Sequence, residues 1–101
     1  MQSTKSLLAI STDRYTLRRR KQVAAGWARL LDRHPQGMLH CIAYLESTPL
    51  MRKGRTKKLR GRFAGLLQYD VDEGDRIWYW VDTQAKVVTI EYAGKHPKST
   101  E

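Results

Sequence analysis

The chain has 101 residues, 41% of them hydrophobic, and 19 Lys or Arg stand against 10 Asp or Glu, a formal net charge of +9. That length predicts a single domain over residues 1–101 with one modest core, and the apolar fraction excludes disorder of the whole chain. No apolar run approaches the roughly 18 residues of a membrane span, so the charge points instead to a polyanion: RNA, DNA, a ribosome or an acidic protein partner.

Residues 1–12 are a polar start with a short apolar patch at 7–10. They read as an N-terminal extension, too weakly apolar for a signal-peptide core, and the expected compartment is the cytoplasm. Residues 14–18 alternate, with Tyr15 and Leu17 on one side and arginines around them, which predicts a short edge strand. From Lys21 the period changes. Val23, Trp27, Leu30 and Leu31 make a helical stripe. Gly26 costs that helix roughly 1 kcal/mol against alanine, a cost that close packing beside Trp27 would explain. The helix is expected to end near His34, because Pro35 follows.

Pro35 then opens a second helix, with Met38, Cys41, Ile42 and Leu45 as its apolar stripe and Pro49 as its stop. So short a connection makes the two helices a hairpin. Cys41 is the single cysteine. It excludes an internal disulfide and a cysteine-based metal site, and its place on an apolar face predicts a buried, inert thiol. His34 and His40 read as surface or capping residues.

Residues 50–58 read as a connector, and it is basic. Within 52–62, seven of eleven residues are Lys or Arg and none is acidic: Arg52, Lys53, Arg55, Lys57, Lys58, Arg60 and Arg62. A block of one sign is unlike the interspersed charge that serves solubility, and it suits a phosphate backbone. Three strands follow, at 66–71, 76–81 and 87–92. The acidic turn 72–75 between the first two contains Gly74, which suits a position of positive φ. In the middle strand Ile77, Tyr79 and Val81 share one face; Arg76, Trp78 and Trp80 share the other. Trp78 and Trp80 read as core, as partner-covered surface or as a platform for a base. From Ala93 the chain reads as a polar tail. The sum is an α+β domain: an N-terminal strand, a helix hairpin, then a three-stranded antiparallel meander in one sheet.

These residues carry a resemblance. The pattern Leu59-Arg60-Gly61, then Gly65-Leu66-Leu67-Gln68-Tyr69-Asp70-Val71, then Arg76-Ile77-Trp78-Tyr79-Trp80-Val81-Asp82, with His96 near the end, resembles the RelE/ParE superfamily of type II toxin–antitoxin toxins. It is nearest in pattern to the RelE/YoeB-type mRNA interferases and covers residues 14–96. The resemblance implies a ribosome-dependent mRNA endoribonuclease that needs no metal or cofactor and is silenced by an antitoxin with an acidic or amphipathic tail. The superfamily's ParE branch implies a second activity, inhibition of DNA gyrase, and a non-catalytic RNA- or antitoxin-binding relative is a third reading. By position, Arg76 matches the arginine that contacts the cleaved phosphate, and His96 the C-terminal histidine acid. Lys57 falls where the YoeB branch has a glutamate base. The second-strand lysines of RelE members are replaced by Leu67 and Tyr69, and Pro97 follows His96 where a terminal aromatic is common. Glu91 and Asp70 are other carboxylates that strand geometry could bring near. Beside Arg76, His96 and Lys57, the expected nucleic-acid contacts are Arg52, Lys53, Arg55, Lys58, Arg60, Arg62 and Lys95.

Overall fold

The structure, a computed structural model, describes residues 14–52, 54–72 and 74–96. The expectations for residues 1–12, for Lys53 and for the chain after His96 lie outside the described residues. In chain order the elements are β1 (Thr16–Arg19), a 3₁₀ turn (Lys21–Val23), α1 (Ala24–Arg33), α2 (Pro35–Ser47), β2 (Thr56–Lys58), a second 3₁₀ turn (Gly61–Phe63), β3 (Leu67–Asp72), β4 (Asp75–Asp82) and β5 (Val87–Lys95). The five strands form one sheet in the order β1-β5-β4-β3-β2. β1 runs parallel to β5, and the other pairs are antiparallel.

The α+β layout expected from the sequence is present, with two corrections. A fifth strand, Thr56–Lys58, stands in what reads as a connector. Its three residues have no apolar alternation; they are strand because their backbone pairs with Leu67–Tyr69 along the free edge of β3. The polar tail also begins later than expected, since β5 continues through Lys95 against β4.

The helix hairpin covers one face of the sheet. Val23, Trp27 and Leu30 from the first helical stretch and Met38, Cys41, Tyr44 and Leu45 from α2 pack on Tyr69, Val71, Ile77, Tyr79, Val88, Ile90 and Ala93. Leu31, expected in the stripe, is turned outward, and Ile42 is only partly buried, with Tyr44 filling the position beside it. Leu17 and Tyr15 flank the core from the β1 side, as their alternation predicts. Gly26 is a point of close approach between layers: a Cβ there would lie 2.1 Å from the Ala93 carbonyl oxygen. Cys41 is fully buried, and burial pushes its thiol well above the usual range. Among the described residues no helix is long and apolar enough to cross a membrane.

The start of the basic segment is tied to this core by two tyrosines. Tyr79 donates its hydroxyl to the Pro49 carbonyl at 2.8 Å. Tyr44 donates to the Met51 carbonyl at 2.6 Å. Both rings are buried, so the chain enters 52–62 from a fixed point.

Candidate nucleic-acid interface

Alternation along the strands decides what the open face of the sheet presents. Lys57, Gln68, Trp78 and Tyr92 form one row across β2, β3, β4 and β5, and Asp70, Arg76 and Gly94 form the next. Ile77 and Tyr79 point the other way, into the core. So do Leu67 and Tyr69, which makes the two positions that hold lysine in RelE members part of the apolar packing here.

Between β2, the turn at Gly61–Phe63 and the end of β5 lies an open depression of about 660 Å³. Arg52, Lys57, Lys58, Leu59, Arg60, Phe63 and His96 line it, and none of these is acidic. Lys57 and His96, some forty residues apart in sequence, thus come to one place. His96 is held there through its backbone: its N–H donates to the Gly74 carbonyl at 2.9 Å, clipping the end of β5 to the β3–β4 turn. Gly74 has φ +86°, the positive value that the acidic turn predicts.

The other expected contacts are dispersed. Arg76 is on the open face but outside the depression. Its Nε lies 3.1 Å from Asp70 Oδ1, close enough for an ion pair though not aligned as a hydrogen bond. Its guanidinium also donates to the carbonyls of Asp72 at 3.2 Å and Asp75 at 3.4 Å. Asp70 and the turn therefore hold Arg76 in a fixed position beside the site. Arg55 faces the helix side, donating to the Asp70 carbonyl at 3.1 Å. Arg62 lies over the Phe63 ring, 5.1 Å from its centroid. Lys95 lines a separate groove between α1 and β5.

Three features were not legible in the sequence. Phe63 joins the depression, although only its place behind Arg62 in a basic run could have drawn attention to it. Trp78 donates from Nε1 to Gln68 Oε1 at 2.9 Å, and Gln68 donates to Asp70 Oδ1 at 2.9 Å, so a polar relay links the tryptophan to the Arg76 partner. His34, expected to be a surface or capping residue, does cap both helices through its backbone, but its ring is largely covered and sits between two carboxylates. Its Nε2 is 2.6 Å from Asp75 Oδ2 and its Nδ1 is 3.3 Å from Asp72 Oδ2. Asp75 is almost fully buried, and Arg33 approaches it at 3.4 Å. This cluster pins the β3–β4 turn to the helix junction from the face opposite Arg76.

Glu91, a candidate carboxylate by sequence, is occupied. Arg20 donates to it at 2.9 Å and Trp80 Nε1 at 2.7 Å. The Arg20 hydrogen bond holds its carboxyl below the usual carboxylate range, against a smaller opposing effect of burial, with the Trp80 bond and the charges of Arg20 and Arg18 adding to the lowering. A depressed carboxyl stabilises the fold above its unfolded pKa, and that contribution is lost as pH falls through the lower, folded value. Glu91→Gln is therefore expected to be less stable than wild type in denaturant titrations near neutrality. The gap should close as pH drops below about 4.3, the ordinary glutamate value. A gap that persists unchanged in strong acid would show that the ion pair does not cause it.

Among solved structures, the fold matches a YoeB/ParE toxin from Agrobacterium tumefaciens at 16% identity, with a TM-score of 0.69 over 81% of this chain and 99% of that one. It matches the archaeal RelE–RelB complex from Pyrococcus horikoshii at 25% identity, with a TM-score of 0.64 over 83% and 97%. It also matches the YoeB dimer from Staphylococcus aureus at 15% identity, with a TM-score of 0.67 over 83% and 99%. No family model and no curated protein matches the sequence. The helix hairpin laid on a five-stranded sheet, with its basic depression at the end of β5, is thus built on the RelE/YoeB toxin fold.

Proposed function

We propose that this chain is the toxin of a type II toxin–antitoxin pair, and that it cleaves mRNA on the ribosome. The observation that carries the reading is the meeting of Lys57 and His96 in a depression with Arg52, Lys58 and Arg60 and, among the described residues, no acidic lining. Such a site attracts a phosphodiester and places a nitrogen base and an imidazole on it together.

The chemistry follows from those groups. Lys57 takes the proton of a ribose 2′-hydroxyl. The 2′-oxygen attacks the adjacent phosphorus, and a pentacovalent phosphorane carries the added negative charge. The bond from phosphorus to the 5′-oxygen breaks, His96 gives that oxygen its proton, and a 2′,3′-cyclic phosphate and a 5′-hydroxyl result. Arginine and lysine charges close to the phosphorane lower its energy. Arg76, held beside the site by Asp70 and the turn carbonyls, is the fixed guanidinium for that charge.

The partners follow in the same way. The same fold occurs in a YoeB–YefM toxin–antitoxin complex from S. aureus and in the RelBE2 toxin–antitoxin complex from Mycobacterium tuberculosis, which supports an antitoxin as this chain's partner. A ribosomal site of action places the protein in the cytoplasm. The test is primer extension on a defined mRNA in a bacterial translation extract, with and without ribosomes. New 5′ ends at A-site codons are expected only with ribosomes, and not with Arg76→Ala or His96→Ala. Growth arrest with intact mRNA and gyrase-dependent DNA breaks would overturn the nuclease reading.

A further inference from the structure

From the aromatic packing on the open face, and resting on the RNA-cleaving function proposed above, we infer that Phe63 is the base-stacking platform of this site. It takes one unstacked base of a single-stranded RNA, next to the phosphate that Lys57 and His96 address.

Four observations support this. Phe63 is partly exposed and, among the described residues, is the one Phe, Tyr or Trp lining the basic depression. Its ring leans on Trp78 with centroids 4.8 Å apart, and Trp78 leans in turn on Tyr92 at 5.3 Å. Trp78 itself is 5% exposed and its indole N–H is committed to Gln68, so it cannot receive a base; it supports the ring that can. Trp80 donates its indole N–H to Glu91 and lies outside the depression, so it is not placed to meet that base. Of the two tryptophans that suggest stacking in the sequence, Trp78 is therefore the foundation, and the phenylalanine is the contact surface.

A ring backed in this way loses little freedom on binding, and every base offers it a π-face, so the contact is tolerant of sequence. Arg62 now lies over the ring. It is an exposed side chain on the same turn, so a base that takes its place leaves the guanidinium free to pair with a neighbouring phosphate. The charged rim around Phe63 supplies attraction and the ring supplies position; neither alone would fix the reacting nucleotide.

The test titrates the full chain at low salt with a short single-stranded RNA that carries a fluorescent adenine analogue, whose emission falls on stacking. Wild type is expected to bind and quench. Phe63→Ala should weaken binding about tenfold or more and abolish the quench, as base–aromatic stacks behave under alanine substitution. Phe63→Tyr should retain both. Phe63→Leu, which keeps an apolar contact to Trp78, should stay folded by its thermal midpoint yet lose the quench. Wild-type quench and affinity in Phe63→Leu would overturn the inference. If binding is lost in Arg52→Ala/Lys58→Ala but is indifferent to Phe63, the platform fails and the RNA reading stands. Absence of any RNA binding by wild type would overturn both.

Discussion

Replacing His96 with alanine is expected to slow mRNA cleavage by roughly 10²- to 10⁴-fold, the usual contribution of a positioned general acid, with the fold retained. The separation of the two effects comes from the backbone. The bond that clips the end of β5 to the turn is made by the His96 N–H to the Gly74 carbonyl, and alanine keeps it. The imidazole is removed from the edge of an open depression, not from the core. Single-turnover cleavage on programmed ribosomes, read beside a thermal melt, checks both halves. A variant that cleaves at the wild-type rate would remove His96 from the chemistry. A variant that loses activity only in proportion to its folded fraction would make it structural.

The second large effect is in the scaffold, and its sign is opposite to that of helix propensity. Gly26→Ala should gain about 1 kcal/mol in a free helix. Here the new Cβ would stand 2.1 Å from the Ala93 carbonyl oxygen and 3.2 Å from its carbon. The obstacle is backbone in a central strand, which has no rotamer to give. α1 must lift off β5, and overpacking of this kind costs typically 1–3 kcal/mol, occasionally more. A net loss of about 2 kcal/mol is expected, which would lower the melting temperature of a chain this size by roughly 10 °C. Ala25→Gly, at the exposed neighbouring position, provides the control and should cost only the propensity difference. A Gly26→Ala variant as stable as wild type would mean that the layers are less tightly docked than the structure has them.

Much of the fold was legible because its signals are local. Pro35 opens α2 where a proline at the first helical position should. The β3–β4 turn follows from Gly74, and the inward face of β4 from Ile77 and Tyr79. β2 was not legible, because a three-residue strand of Thr-Lys-Lys owes its form to the edge it pairs with and to no preference of its own. The site divides along the same line. Basic residues are countable in sequence, but which of them converge depends on pairing: Arg52, Lys58 and Arg60 face the depression, whereas Arg55 turns back to the Asp70 carbonyl. His34 and Asp75 are 41 positions apart, and nothing local in either predicts that one will hold the other.

The lone cysteine also makes the chain its own unfolding reporter. Cys41 is fully buried, and its burial disfavours the thiolate that alkylating reagents need. A neutral alkylating agent can therefore reach it only when α2 separates from the sheet. Labelling followed by mass spectrometry would then measure the population of that opened state. No probe has to be introduced, so the measurement can be made on the unlabelled chain in a cell extract. Any ligand that grips the folded form, antitoxin or RNA, would register as a slower clock.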